Sequence, residues 1–319
     1  MFHRGPAFTA VTALLTAVLC TGATAAATTE LSGTIAIPCA AGVLEQDTAW
    51  YLPDGEPTGL IWLQHGFART NANVAALATA FADAGYLVFA PSLPFMNFSG
   101  CTLQNLGDNT AFLRNVTALF GGAGDATGPL AASLADAARK AQRPAPALPT
   151  DLVFIGHSAG AEAVLFVADL LRALHPETWT ALRGLVLLDP VRSFIGDNID
   201  RALISLDATQ LPVLSISAPP SACNSLGLGT LAVRTRLHRP FVGVELQAGA
   251  HTDAEGESSD LLGELMCGTP SAVNATAVRT LALAWTHDYM TGTNTSDYYP
   301  ATAGAAIAAA PTARVLTGS

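Results

Sequence analysis

The chain of 319 residues contains a single lysine, Lys140, and charged residues make up only 13% of it. Acidic residues outnumber lysine and arginine by 25 to 15, which gives a formal net charge of −10. A surface of this charge repels nucleic acids and anionic membranes, because both are polyanions. The composition therefore argues against a nucleic-acid partner and against attachment to an anionic membrane.

Long apolar segments are also scarce. The run over residues 7–20 is too short to span a bilayer comfortably, and small residues follow it at 23–27. Together with the basic start of the chain, this pattern predicts a secretion signal peptide over residues 1–27 and a secreted, extracellular protein. A membrane anchor and a lipid anchor on Cys20 are the alternatives. We expect no stable membrane insertion elsewhere in the chain.

Cysteine is rare, with five residues in all, and Cys20 falls inside the predicted signal. The four that remain are Cys39, Cys101, Cys223 and Cys267. An even number in an exported chain predicts two disulfides. Sequence alone does not choose among the three possible pairings; we favour Cys39–Cys101 with Cys223–Cys267. A zinc site is the alternative, although no two of these cysteines have CxxC spacing.

Apolar residues make up half of the chain, enough for one large core. Short apolar runs such as residues 60–63 alternate with helical patterns such as residues 73–84. This alternation predicts an α/β fold, in which a mostly parallel sheet carries helices on both faces. We expect one catalytic domain over residues 28–300. Residues 301–319 are rich in Ala, Thr, Gly and Pro and predict a flexible tail, with a cell-wall spacer as the alternative.

The sequence Gly156-His157-Ser158-Ala159-Gly160 follows an apolar strand pattern and precedes a helical one. A serine hydroxyl is a weak nucleophile that must stand clear of its neighbours and be activated by a base. Glycines on both sides of Ser158 permit the sharp turn that exposes it. We interpret the motif as the nucleophile elbow G-x-S-x-G; an ordinary turn with a buried serine is the alternative.

A nucleophilic serine requires an acid later in the chain. Asp189 ends an apolar strand pattern and is followed by proline, which places a carboxylate at the end of a strand. The segment after the next strand, residues 217–223, contains no acid, and this absence favours Asp189. Asp197, Asp200 and Asp207 are alternatives in the polar stretch between these strands.

The general base is predicted to be His251. It lies in a loop of small residues after the last strand pattern, from which an imidazole can reach the serine. His157, next to the serine on a tight turn, is interpreted as structural. Asp253, Glu255 and Glu257 form an acidic stretch beside His251, which we expect to be a solvated rim rather than a calcium site.

The oxyanion of an acyl-transfer intermediate needs two hydrogen-bond donors in advance. Gly66 follows an earlier strand and permits a tight bend, so we predict the backbone N–H of Phe67 as one donor. The N–H of Ala159, directly after the serine, is the predicted second donor. The apolar loop that contains Phe95 and Met96 is predicted to bind substrate together with the Phe67 side chain.

The order Ser158, Asp189, His251, with His65-Gly66-Phe67 before it, resembles the α/β-hydrolase superfamily over roughly residues 30–295. The resemblance implies an eight-stranded, mostly parallel sheet with a catalytic triad at its carboxyl edge. The position of the acid, after the sixth strand, resembles that in certain branches of the superfamily. These branches include pancreatic-type lipases, platelet-activating-factor acetylhydrolases and chlorophyllases. Phe67 resembles the oxyanion-loop aromatic of bacterial cutinases, but the chain lacks their acid after the seventh strand.

Residues 191–211, where this fold usually inserts a lid, have room for only one or two short helices. A minimal lid and an open site suit bulky, lipid-like or polymeric esters. We therefore expect a secreted, monomeric serine esterase or lipase that works through an acyl-enzyme without a metal or cofactor. The alternatives are an acyltransferase with the same triad, a peptidase, or a non-catalytic binding protein on the same fold.

Overall fold

The computed structural model describes residues 1–3, 28–122, 124–302 and 304–319. The predicted signal peptide, residues 1–27, lies almost entirely outside these ranges. None of the helices within them combines the length and the apolar character that a bilayer crossing needs.

The sheet has more strands than expected. Across the described ranges the strands are β1 (Thr29–Cys39), β2 (Gly42–Leu52), β3 (Leu60–Gln64), β4 (Leu87–Pro91), β5 (Leu152–His157), β6 (Leu182–Leu188), β7 (Val213–Ser217), β8 (Gly243–Glu245) and β9 (Arg314–Leu316). They form one sheet in the order β1-β2-β4-β3-β5-β6-β7-β8-β9. Six neighbouring strands are parallel: β4, β3, β5, β6, β7 and β8. The outer strands β1, β2 and β9 pair antiparallel.

The helices cover both faces of the sheet. Their bounds are α1 (Ala75–Asp83), α2 (Thr110–Gly121), α3 (Pro129–Lys140), α4 (Ala159–Leu174), α5 (Pro176–Ala181), α6 (Asn198–Asp207), α7 (Leu228–Arg236), α8 (Leu261–Cys267) and α9 (Ala272–Thr291). Helices α1 and α9 pack on one face, and α2, α3, α4, α6 and α7 on the other. Helix α8 contributes no side chain to either core.

The strand sequences explain why two cores form. All five residues of β3 are buried, and successive side chains of a strand point to opposite faces. Trp62 therefore packs into the core under α2 and α4, where its ring centroid lies 4.8 Å from that of Phe120. Ile61 and Leu63 pack into the opposite core, under α1 and α9. Strands buried on both faces have the continuous apolar runs seen in this sequence.

Two predictions need correction at the carboxyl end of the chain. The predicted eight-stranded sheet is a mixed sheet of nine strands, and the predicted flexible tail, residues 301–319, contributes the ninth. Ile307 and Leu316 are buried, and the Val242 N–H donates to the Leu316 carbonyl at 2.9 Å. The structured region therefore continues past residue 300. The small-residue composition concealed β9, because only a few apolar side chains anchor it.

The segment between β6 and β7 matches the expectation of a minimal lid. It contains one helix, α6, whose Ile199, Leu203 and Leu206 side chains are buried in the core. A helix that packs on the sheet in this way does not cover the carboxyl edge.

Both favoured disulfides are present, Cys39–Cys101 and Cys223–Cys267. This pairing removes the zinc alternative, because a cysteine in a disulfide has no thiolate to offer a metal.

Candidate active site

Ser158 stands on a strained turn between β5 and α4. Its φ of 58° and ψ of −123° lie where a residue with a side chain is rarely found. A Cβ on Gly156 would lie 2.3 Å from the Gly160 carbonyl oxygen. A Cβ on Gly160 would lie 2.5 Å from the His65 carbonyl oxygen. Both glycines of the motif are therefore sterically required, and the turn has the geometry of the predicted nucleophile elbow.

The structure brings Ser158, His251 and Asp189 together in one hydrogen-bonded chain. The Ser158 Oγ lies 2.9 Å from the His251 Nε2, and the His251 Nδ1 lies 2.6 Å from an Asp189 carboxylate oxygen. Because a carboxylate only accepts, Nδ1–H donates to Asp189, and Nε2 is left to accept from the serine hydroxyl. All three residues are more than 90% buried. A serine, an imidazole and a carboxylate in this arrangement can activate the hydroxyl as a nucleophile.

Asp189 is also held by Asn224, a residue that no sequence pattern had indicated. The Asn224 Nδ2 donates to both Asp189 oxygens at 3.2 and 3.3 Å, and the Ala218 N–H donates at 3.0 Å. Asn224 is fully buried and follows Cys223, so the Cys223–Cys267 disulfide anchors its segment. In the sequence, only the position of Asn224 beside Cys223 indicated that it could lie near the site.

The predicted oxyanion donors border the serine. A Cβ on Gly66 would lie 2.7 Å from the Ser158 Cβ, so the backbone that leads into Phe67 passes directly against the nucleophile. Ala159 is the first residue of α4, and the first N–H groups of a helix have no acceptor within it. Both positions are compatible with N–H groups directed toward a substrate oxygen at Ser158.

His157 packs behind His251, as a structural residue would. Its ring centroid is 4.8 Å from that of His251, and its Nε2 donates to the His251 carbonyl at 3.0 Å. Burial lowers the pKa of His157 well below its usual value, and the neighbouring His251 lowers it further. His157 is therefore neutral at pH 7 and fixes the backbone of the base.

The acidic stretch after His251 is buried rather than solvated, which corrects the expectation for two of its three residues. Glu255 is 1% exposed and Asp253 is 3% exposed. Glu255 accepts two hydrogen bonds from Arg69, at 2.8 and 2.7 Å. Asp253 accepts from the N–H groups of Ala250 and Ser271 and so closes the turn that holds His251. Burial raises the pKa of Asp253.

A second buried carboxylate, Glu162, lies one turn into α4. It accepts from the N–H and the hydroxyl of Ser193, which follows β6, and Ser193 Oγ accepts from the Asn105 N–H. The pKa of Glu162 is raised overall, because the effect of burial exceeds the opposing effect of the Ser193 hydrogen bonds. These bonds connect the loops after β4 and β6 to α4, the helix that begins directly after Ser158.

The side chains predicted to bind substrate form an exposed apolar surface beside the serine. The Phe67 and Phe95 rings meet edge to face, with centroids 5.3 Å apart, and Met96 is 64% exposed. Further exposed apolar residues lie beyond strand ends at the same edge of the sheet. Phe98 belongs to the predicted loop of Phe95 and Met96, whereas Phe194, Ile195 and Leu226 were not predicted from the sequence.

The two largest cavities, of about 480 and 400 Å³, lie away from Ser158, against the carboxyl-terminal half of α9. A cavity of about 260 Å³ lies between α1, α9 and the His251 loop, and Ser158 and Phe67 do not line it. A cavity of about 10 Å³ lies behind His251 and Asp189.

Comparison with known proteins supports the fold and nothing finer. No protein-family model matches the sequence, and no curated protein matches it significantly. A solved dienelactone hydrolase from Anabaena variabilis ATCC 29413 is 15% identical, with a TM-score of 0.50 over 82% of this chain and 98% of its own. An esterase from Pyrobaculum calidifontis is 13% identical, with a TM-score of 0.49 over 82% and 85%. At 15% identity the first likeness shows the fold alone: the chain has an α/β-hydrolase type of fold.

Proposed function

We propose that the protein is an exported serine hydrolase that cleaves carboxylic esters. The observation that carries the proposal is the hydrogen-bonded chain from the Ser158 Oγ through His251 to Asp189, with distances of 2.9 and 2.6 Å. Ser158, His251 and Asp189 are its catalytic residues.

In the proposed reaction, His251 Nε2 takes the proton of Ser158 as Oγ attacks the ester carbonyl carbon. Asp189 stabilises the imidazolium that forms, and the N–H groups of Phe67 and Ala159 stabilise the oxyanion. His251 then gives its proton to the departing alcohol, which leaves an acyl group on Ser158. A water molecule gives a proton to His251 as it attacks this acyl-enzyme. His251 then returns the proton to the Ser158 Oγ as the acid leaves. These reaction steps require no metal or organic cofactor.

The substrates that suit this site are lipid-like, bulky or polymeric esters. Phe67, Phe95 and Met96 offer an exposed apolar surface for an acyl or aromatic group. The short segment between β6 and β7 folds onto the core and leaves this surface open. These features agree with the resemblance to the branches that carry their acid after the sixth strand.

Export is supported by the pattern of residues 1–27 and by the two disulfides, which form in oxidising compartments. Mass spectrometry of the protein from the culture medium tests this: the mature chain is expected to begin near residue 28. A medium that lacks the protein, with the full-length chain in the cells, would contradict export.

The enzymatic proposal is tested by labelling with a fluorophosphonate probe and by hydrolysis of a p-nitrophenyl ester series. The parent is expected to react with the probe and to hydrolyse esters, and Ser158→Ala is expected to lose several orders of magnitude in turnover while keeping its fold. A folded parent that neither labels nor hydrolyses would be a binding protein. Ester products formed with an added alcohol, in place of the free acid, would identify an acyltransferase.

A further inference from the structure

Helix α8, residues Leu261–Cys267, is fixed at both ends beside the candidate active site. At its start, Asp260 accepts from the Gly263 N–H at 2.7 Å and from Arg69 at 2.9 and 3.0 Å. At its end, Cys267 forms the disulfide to Cys223. The helix therefore has fixed attachments rather than the free ends of a mobile lid.

The two attachments place α8 at the carboxyl edge of the sheet. Arg69 follows Phe67 by two residues, and Cys223 precedes Asn224, which holds Asp189. The Thr252 hydroxyl, next to His251, donates to the Gly268 carbonyl just beyond the helix. Helix α8 therefore forms a ridge along the His251 side of the site.

The polarity of α8 is the reverse of that expected for a surface helix. Its large apolar side chains face outward and are between 65% and 82% exposed: Leu261, Leu262, Leu265 and Met266. Gly263 faces inward, where a Cβ would collide with the Arg69 guanidinium, and Glu264 is half-buried. A helix normally turns its apolar stripe toward the core. Contiguous exposed apolar side chains of this kind mark an interaction surface.

We propose that α8 docks onto an uncharged lipid surface and brings the active site to its substrate. This inference rests on the proposed function and names the physical form of the substrate, an aggregated acyl ester. The four outward side chains are aliphatic, as acyl chains are. The net charge of −10 and the single lysine disfavour an anionic surface.

A lipid surface fits this position better than a protein partner does. A second protein seated on α8 would obstruct the neighbouring Phe67–Phe95 surface, which the ester has to reach. A lipid phase carries the ester itself, so docking and substrate access do not compete. Leu226, three residues after Cys223 in the sequence, is a further exposed apolar side chain.

The test measures adsorption without hydrolysis, using the full mature chain with Ser158→Ala. This protein is mixed with droplets of trioctanoylglycerol or with vesicles of phosphatidylglycerol, and the unbound fraction is measured after centrifugation. We expect adsorption to the neutral droplets and at least tenfold weaker adsorption to the anionic vesicles. Replacing Leu262 and Leu265 with Gln is expected to raise the droplet concentration for half-adsorption at least tenfold.

The matched control is Leu174→Gln with Ile204→Gln. These residues are exposed on α4 and α6, away from α8, and their replacement is expected to leave adsorption unchanged. Equal adsorption of the α8 variant and the parent would overturn the proposal. So would a parent that sediments as a dimer when the α8 variant is a monomer, because the occupant would then be a second copy.

The proposed function is tested separately, by measuring the hydrolysis of a soluble ester, p-nitrophenyl acetate, by proteins that retain Ser158. The α8 variant is expected to hydrolyse it at the parent rate, because its substitutions lie outside the triad. A parent that adsorbs but does not hydrolyse this ester or react with the fluorophosphonate would contradict the proposed function and leave the docking surface standing. A parent that hydrolyses but does not adsorb would overturn the docking proposal alone.

Discussion

Arg69 and Glu255 form a two-bond ion pair, at 2.8 and 2.7 Å, in which the side chains are 10% and 1% exposed. Arg69 lies just after the candidate oxyanion loop, and Glu255 lies four residues after His251. The pair therefore fastens the segment after Phe67 to the segment that follows His251. His157 Nδ1 lies 3.8 Å from Glu255, so the same carboxylate also faces the histidine behind the base.

Removing Arg69 alone should be strongly destabilising. Arg69→Met leaves Glu255 charged, buried and unpaired, and breaking a buried pair in this way costs about 3–5 kcal/mol. Replacing both residues with Met removes the unpaired charge and should recover part of the loss. Urea unfolding of the two variants measures the difference. Arg183→Met, which breaks an exposed pair with Asp151, is the control and should cost about 0.2–1 kcal/mol. Equal costs for Arg69 and Arg183 would contradict the role of the buried pair.

Asn224→Ala should lower turnover more than substrate affinity. The variant loses hydrogen bonds to the charged Asp189 carboxylate, each worth about 1.5–3 kcal/mol, and frees Asp189 to rotate away from His251. We expect kcat to fall about tenfold or more with little change in KM. Asn198→Ala breaks a buried hydrogen bond to Asn109 and serves as the control, with reduced stability but an unchanged kcat. A KM effect without a kcat effect for Asn224 would count against this positioning.

The two disulfides should differ in their effect on activity. The sequence separations are 62 residues for Cys39–Cys101 and 44 for Cys223–Cys267, so loop-closure entropy gives a similar stabilisation of about 4 kcal/mol for each. Replacing Cys223 and Cys267 with Ser should also lower ester hydrolysis in the absence of denaturant, because the neighbouring Asn224 loses its anchor.

Urea unfolding and initial rates on a soluble ester separate these effects. The variant without Cys39–Cys101 is expected to lose stability at an unchanged initial rate. Identical initial rates in both double variants would contradict the link between the Cys223–Cys267 bridge and Asp189.

Ser158 and Asp189 directly follow β5 and β6, and His251 lies in the loop after β8, six residues past Glu245. Because parallel strands end at one edge of a sheet, these three residues could be expected to lie together. Ser158, Asp189 and His251 could be picked out from that local context. The alternation of apolar runs and helical patterns predicted a mostly parallel sheet, and the disulfide pairing that we favoured is the one observed. The count of eight strands came only from the resemblance to the α/β-hydrolases, and the sheet has nine.

The supporting residues could not be predicted in the same way. Arg69 and Glu255 are 186 residues apart, and no local pattern connects them. A charged residue in a polar loop is normally solvated, and the sequence therefore predicts Glu255 at a solvated rim. Its burial depends on a partner that only the fold brings near. Strand β9 was missed for a related reason, since its few apolar residues acquire a role only along the edge of β8.

Leu316→Ala tests whether residues 301–319 are part of the folded domain. Leu316 is buried at 1% exposure, and its removal should cost about 2–5 kcal/mol of unfolding free energy, as for other buried leucines. A flexible tail would show no loss. Thr312→Ala is the control, because Thr312 is exposed and should change stability by less than about 0.5 kcal/mol. Urea unfolding measures both, and matching midpoints for the two variants would restore the tail interpretation.

His65 should make the protein less stable as the pH falls below 6.5. Burial is the main cause that lowers the pKa of His65 from 6.5 to about 4, opposed by its hydrogen bond to the Gly66 carbonyl and aided by Arg69. Between these pH values the unfolded chain binds a proton at His65 that the folded chain excludes. The contribution of His65 to the free energy of unfolding is therefore complete above pH 6.5. As the pH falls from 6.5 to about 4, the free energy of unfolding decreases by at most about 1.4 kcal/mol per pH unit because of this residue.

The measurement is the unfolding free energy at several pH values for the parent and for His65→Asn, whose side-chain amide can also donate to the Gly66 carbonyl. This variant cannot take up the proton, so its stability should depend less steeply on pH over that range, although the buried His157 retains a slope of the same sign. His287→Asn, at an exposed position on α9, is the control and should keep the parent slope. If His65→Asn also kept the parent slope, His65 would not be the buried neutral residue that its environment implies.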